Sequence, residues 1–195
     1  MLTIDILRHG ALQGGIKYRG QIEADLTIDG RESMDQVWLQ LADRVECIIT
    51  SPFSRCSAAA TDWAKQSNIP CISEPRLSEM YYGDWEDKTA EQIEQVSPGV
   101  LQQWRRDPTG MRPPGGGESP EELQQRIASW WHETTEKMNN KHILVVGHSG
   151  SMRMLITYAL GLPISATREI EMPYACWKRL SYNASGTRLT DPSSR

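Results

Sequence analysis

Cysteine is scarce in this chain. Its 195 residues include four, Cys47, Cys56, Cys71 and Cys176, with no CxxC pair among them. Zinc-ligand spacing and a small disulfide framework are therefore both unsupported, and Cys47, in an apolar run, reads as a buried thiol. Long apolar runs are missing as well: none approaches the ~20 residues that span a bilayer. The first seven residues lack the basic start, long apolar core and small-residue cleavage site of a signal peptide. No membrane partner and a reducing cytoplasm are the expectation. A basic surplus is also lacking. Lys and Arg number 21 against 25 Asp and Glu, a formal net charge of -4. Nucleic acid, whose phosphate backbone requires a basic face, is thereby disfavoured as a partner. A small anionic substrate is not, because it responds to a local cluster of Arg and His. There are no internal repeats and no long linker. What remains is an ordinary globular balance, 38% hydrophobic and 24% charged, on a chain long enough to fold without staples.

Three short apolar or β-branched runs, 2–7, 45–50 and 142–147, fit strands buried on both faces, as in parallel sheets. Further strands are expected near 69–73 and 177–182, the last as an antiparallel edge. Between them lie helical patterns. Met34, Val37, Trp38 and Leu41 mark 27–41, alanines mark 54–67, and Met152, Leu155, Ile156 and Ala159 form one stripe of 149–160. This alternation predicts an α/β fold, a three-layer α/β/α sandwich on a mostly parallel sheet. We expect one domain over 1–195, with 77–131 as a helical cap or insertion. That insertion reads as two helices, 90–105 and 121–131, parted by the breakers of 108–117. Ser119 is placed to cap the second, with Pro120 in its first turn and acids at its positive end. Trp38, Trp63, Trp104, Trp130 and Trp131 fall at helical positions and are expected to pack. Gly115-Gly116-Gly117 lacks the Lys-Ser or Lys-Thr of a phosphate loop and reads as a mobile connection beside the substrate entrance. His132 and His142 read as structural, and the tail at 193–195 as disordered.

In open α/β sheets, ligands bind beyond the carboxyl ends of the strands. Here those ends carry Arg8-His9-Gly10, Thr50-Ser51-Pro52 leading to Arg55, and Gly147-His148-Ser149-Gly150. Arginine offers a planar fork that matches phosphate oxygens. A histidine in their positive field is held neutral and nucleophilic, and its attack on phosphorus would split one displacement into two easier ones. A second histidine, at a helix start, can donate to phosphoryl oxygens. The scheme needs no metal and no cofactor. A general acid is needed, and Glu79 stands among apolar and aromatic residues where burial favours the protonated form. Asp84 and Glu86 are its competitors.

These residues resemble the histidine phosphatase superfamily, the phosphoglycerate mutase-like family. Leu7-Arg8-His9-Gly10 matches its RHG motif, and Ser51 to Arg55 resembles its S-x-x-x-R helix start. Leu77 to Glu86 resembles its L-x-E-x-x-x-G-x-W-E segment, and Gly147-His148 matches its second histidine motif. The four occur in the family's order. The resemblance implies a phosphoric monoester hydrolase in which His9 is phosphorylated. Arg8, Arg55 and His148 would form the phosphate pocket, with Arg19, Gly20 and Gln21 beside the substrate, and Glu79 would be the acid that later activates water. Segment 79–86, the length and Trp177 look most like the alpha-ribazole-5'-phosphate phosphatases of cobalamin synthesis. Other substrates in view are phosphosugars and phosphoglycerate, as is a pseudoenzyme that binds phosphorylated ligands. The implied partner is a small phosphorylated metabolite, and the implied state monomer or homodimer. One departure stands out. Ala11, Leu12 and Gly15 replace the acidic residue, Thr and Asn usual after RHG. Backbone N–H groups of Gly14-Gly15, or the cations Lys17 and Arg19, are the expected compensation.

Overall fold

The computed structural model describes residues 1–191; the tail at 193–195 lies outside the described residues. Six strands form one sheet in the order β3-β2-β4-β1-β5-β6. They are β1 (Leu2–Arg8), β2 (Cys47–Thr50), β3 (Cys71–Ser73), β4 (His142–Gly147), β5 (Trp177–Asn183) and β6 (Gly186–Thr190). β1, β4, β2 and β3 run parallel, and β5 and β6 close one side antiparallel. The expected antiparallel strand at 177–182 is therefore present as β5, but β6 rather than β5 is the edge. Among the described residues there are six α-helices: α1 (Ile28–Leu41), α2 (Ser54–Ser67), α3 (Ala90–Val96), α4 (Val100–Arg106), α5 (Pro120–Lys137) and α6 (Ser149–Ala159).

The continuous apolar run of β4 is explained by its two faces. Ile143 and Val145 pack with Ile127 and Trp130 of α5 and Leu155 of α6. Leu144 and Val146 pack on the other side with Trp38 of α1 and Trp63 of α2. Trp38 and Trp63 stack there, 5.4 Å apart and 8° from parallel. The expected three layers are those observed.

Two expectations for 77–131 change. The single helix 90–105 is two, because Pro98-Gly99 interrupts it and Gly99 takes φ +75°. The helix at 121–131 is longer, Pro120–Lys137, and opens with the capping box of Ser119 and Glu122. Its buried Leu123, Ile127, Trp130 and Trp131 make it part of a sheet-covering layer rather than of a cap. Only α3 and α4 stand apart, on a small core of Trp85, Ile93 and Leu101. The triple glycine packs against the turn at Gly83, whose φ is +55° and where an added Cβ would lie 2.1 Å from the Pro114 carbonyl oxygen.

Candidate active site

The parallel ends of β1, β4 and β2 lie side by side. Arg8 pairs with Gly147, the His9 N–H donates to the Gly147 carbonyl at 2.9 Å, and the Ser51 N–H donates to Val146 at 2.9 Å. His9, Ser51 and His148 thus occupy adjacent strand ends, as the topology requires. Beyond His9 the chain passes over the first turn of α1 so closely that a Cβ on Gly10 would lie 1.9 Å from the Gly30 carbonyl oxygen. Only glycine fits the third place of the motif.

The buried His9 ring has a defined tautomer. Its Nδ1 lies 2.8 Å from the Gly10 carbonyl oxygen, which can only accept, so Nδ1 carries the proton and Nε2 keeps its lone pair. Burial pushes the His9 pKa down to about 3, opposed by the Gly10 hydrogen bond and helped by the charges of Arg8 and Arg55. An imidazole with a free, unprotonated Nε2 is a nucleophile at neutral pH. Arg8 is steered by its bond to the Met172 carbonyl, 2.6 Å, and lies 4.0 Å from the centre of the Tyr174 ring. That ring is also 5.7 Å from His9.

His148 stands 5.3 Å from His9, ring centre to ring centre. Its Nδ1 accepts from Arg55 Nε at 3.1 Å, which leaves the proton on Nε2, 2.7 Å from Ser51 Oγ. Burial, then the Arg55 charge, holds its pKa well below the usual value. Both ring nitrogens face protein groups, so the ring helps to orient Arg55, and His148 also lines the cavity it shares with His9. The Arg55 guanidinium is also anchored on the Gly20 and Ile22 carbonyls, each at 2.6 Å.

Glu79 joins His9, Arg8, Arg55 and His148 on the wall of one cavity of about 590 Å³. Its carboxylate is not surrounded by apolar atoms as expected. Oε1 accepts from Met80 and Ser151 N–H and Oε2 from Gly150 N–H, each at 2.9 Å. All three groups only donate, so both oxygens act as acceptors and Glu79 caps the start of α6 from outside the helix. A Cβ on Gly150 would lie 2.5 Å from Oε1. Arg126 fixes the main chain here, donating to the carbonyls of Ser78 and Glu79. Of the competitors, Asp84 is exposed beside Gly115. Glu86 accepts from the Gln21 and Tyr82 N–H groups, and burial raises its pKa; neither lines the cavity.

The loop after Gly10 carries the remaining expected residues. Lys17, Arg19 and Gly20 line the cavity. Arg19 and Lys17 both bind Asp87, at 2.9 and 3.1 Å, and Arg19 also reaches the Gln13 carbonyl at 2.7 Å. Their first role is to shape this loop. Gln21 is not on the cavity wall; its side-chain amide donates to the Glu79 carbonyl at 3.1 Å. Gly14 and Gly15 form an exposed turn with φ near +75° and do not reach the cavity either. Leu12 and Ile16 line it instead.

Sequence reasoning missed several cavity residues, among them Tyr18, Tyr82, Arg105, Arg153 and Tyr174. Arg153 carried a signal: it follows Ser149 by four residues, on the same face of the helix that starts at the strand end. A second chamber of about 270 Å³ shares Tyr18, Tyr82, Arg105 and Arg153 with the first and is also lined by Trp104, so that tryptophan lines a chamber as well as packing. Among the described residues no group of three or more His, Cys, Asp or Glu is placed to hold a metal ion, and no helix is long and apolar enough to cross a membrane.

The family profile of the histidine phosphatase superfamily (branch 1) matches residues 4–193. The chain belongs to that superfamily. This histidine phosphatase is 26% identical to the adenosylcobalamin/alpha-ribazole phosphatase of Escherichia coli K12, over 97% of its own length and 95% of the relative's. It is 29% identical to the glucosyl-3-phosphoglycerate phosphatase of Mycolicibacterium vanbaalenii, over 82% of its own length and 74% of the relative's. The structure of a mycobacterial glucosyl-3-phosphoglycerate phosphatase complexed with VO3 superposes with a TM-score of 0.87 at 27% identity, covering 97% of each chain. The expected enzyme class, a phosphatase, stands with this membership.

Proposed function

We propose that this histidine phosphatase hydrolyses a small phosphate monoester through phosphorylation of His9. The observation that carries the reading is the His9 tautomer: Nδ1–H on the Gly10 carbonyl, Nε2 unprotonated, beside Arg8 and Arg55. In the first step His9 Nε2 bonds to phosphorus and the ester P–O bond breaks. The ester monoanion's own proton, relayed by Glu79, leaves on the alcohol. In the second step water attacks the phosphohistidine, Glu79 takes the water's proton and passes it to a phosphate oxygen, and inorganic phosphate departs while His9 and Glu79 are restored. Arg8 and Arg55 face the phosphoryl oxygens, on which charge builds in both transition states.

Two substrates are in view, and they differ in the charge of the leaving group. Alpha-ribazole 5'-phosphate, with an uncharged leaving group, is supported by the Escherichia coli relative and by the aromatic residues Tyr18, Tyr82 and Trp104 of the second chamber. A carboxylate-bearing ester, of the glucosyl-3-phosphoglycerate kind, is the second reading, supported by the unpaired Arg153 taken up below. Hydrolysis of 4-nitrophenyl phosphate in excess EDTA tests the chemistry. EDTA-resistant turnover that falls to the assay background in His9→Ala is expected. Turnover that survives the substitution would remove His9 from the reaction.

A further inference from the structure

Most cations around the two chambers have partners. Arg8 lies on the Met172 carbonyl and the Tyr174 ring, and Arg55 on His148 and two carbonyls. Lys17 and Arg19 hold Asp87, Arg105 Nε donates to the Tyr18 hydroxyl at 3.2 Å, and Arg168 donates to the Arg106 carbonyl. Arg153 is the exception. It has no hydrogen bond and no ion pair among the described residues, and its Nε is buried without a partner. It stands in the wall that the phosphate cavity shares with the aromatic chamber. A half-buried guanidinium with no counterion, close enough to Arg8 to feel its charge, is unfavourable in the empty protein. Such an arrangement is relieved when a ligand brings negative charge.

The position of Arg153 indicates which part of the ligand that is. This residue lines both chambers, whereas Arg8, His9, Arg55 and His148 line only the first. Arg153 thus stands between the His9 cluster and the aromatic chamber, on the side away from His9 and His148.

We infer that Arg153 binds an anionic substituent of the leaving group, a carboxylate or a second phosphate, and so selects doubly anionic phosphate esters. This rests on the phosphatase reading above and deepens it. Arg153 forms the charge-assisted bond, while Tyr18, Tyr82 and Trp104 enclose the body of the leaving group. Hydrolysis itself is unchanged, and no further reactant enters.

The test compares phenyl phosphate with 4-carboxyphenyl phosphate, which differ by one carboxylate, in wild type, Arg153→Met and Arg153→Lys. Wild type is expected to prefer the carboxylated ester in kcat/KM, chiefly through KM. Arg153→Met is expected to lose that preference by tenfold or more, and Arg153→Lys to recover part of it. A ratio that is the same in wild type and Arg153→Met overturns the inference, as does an equal loss on both esters, which would place Arg153 on the phosphoryl group. Turnover of neither ester by wild type overturns both this inference and the phosphatase reading. Turnover of both with an unchanged ratio overturns this inference alone. Thermal melts of the variants verify that each is folded.

Discussion

At the scale of single residues, the site is defined by protons that are held in place. His9 and His148 are both kept neutral, chiefly by burial, and the pKa of His9 is pushed down to about 3. The sign of the consequence is fixed. Between about 3 and the ordinary histidine value near 6.5, the unfolded chain binds the proton and the folded chain does not. Stability from this group is therefore complete above about pH 6.5 and is lost progressively as the pH falls toward about 3. The urea midpoint is expected to drop on acidification from about pH 7 to about pH 4, and to drop less steeply in His9→Gln. Other titrating groups act alike in both proteins, so parallel pH curves would contradict the neutral, buried His9. That Arg8, His9, Arg55, Glu79 and His148 meet at one cavity was legible in the sequence, because strand ends and motif spacing mark them. Their hydrogen-bond partners were not. That Glu79 caps α6, or that His148 faces Ser51 and Arg55, depends on rotamers which no spacing encodes. Tyr174 and Arg105 come from segments with no strand-end signal at all.

At the scale of elements, the register of the sheet also builds a polar cluster away from the cavity. Asp5 in β1 is fully buried between β4 and β5. Arg179 binds it through two bonds, at 2.7 and 2.9 Å, and His142 Nε2 lies 2.7 Å from Oδ2. The structural role expected of His142 is that of a partner to Asp5. Removing one member of such a buried set leaves the others uncompensated and costs about 3–5 kcal/mol. Asp5→Ala is expected to lose stability on that scale in urea unfolding, since three adjacent strands meet at the site. A change below ~1 kcal/mol would mean that water already satisfies Arg179 and His142. Strands buried on both faces, such as β4, were legible because of their continuous apolar run, Ile143 to Val146. β6 was not, because it is a five-residue edge strand whose side chains alternate between exposed and half-buried. The break between α3 and α4 had a visible cause in Pro98-Gly99, which a continuous helical pattern on either side obscured.

At the scale of the whole molecule, formal charge and site charge have opposite signs. The chain carries a net -4, yet its cavity gathers Arg8, Arg55, Arg105 and Arg153 around two neutral histidines. Burial lowers the Arg8 pKa; Tyr174 and Glu79 oppose that effect and the neighbouring Arg153 charge adds to it. Charge elsewhere on the surface is largely screened beyond ~10 Å at ordinary ionic strength, whereas this enclosed cluster is not. A phosphate dianion that enters the cavity should therefore stabilise the folded state well beyond a general salt effect. Ligand at about 100 times its Kd adds about 2.7 kcal/mol. At about 2–4 °C per kcal/mol for a chain of this size, the melting temperature is expected to rise by roughly 5–11 °C. Inorganic phosphate or vanadate compared with chloride at matched ionic strength makes the measurement, read as the shift each anion causes rather than as an absolute Tm. Arg55→Met is expected to reduce the phosphate-induced shift, because the guanidinium that faces the anion is gone. Equal shifts with chloride and phosphate would mean that the arginines neutralise one another's neighbours rather than await a ligand.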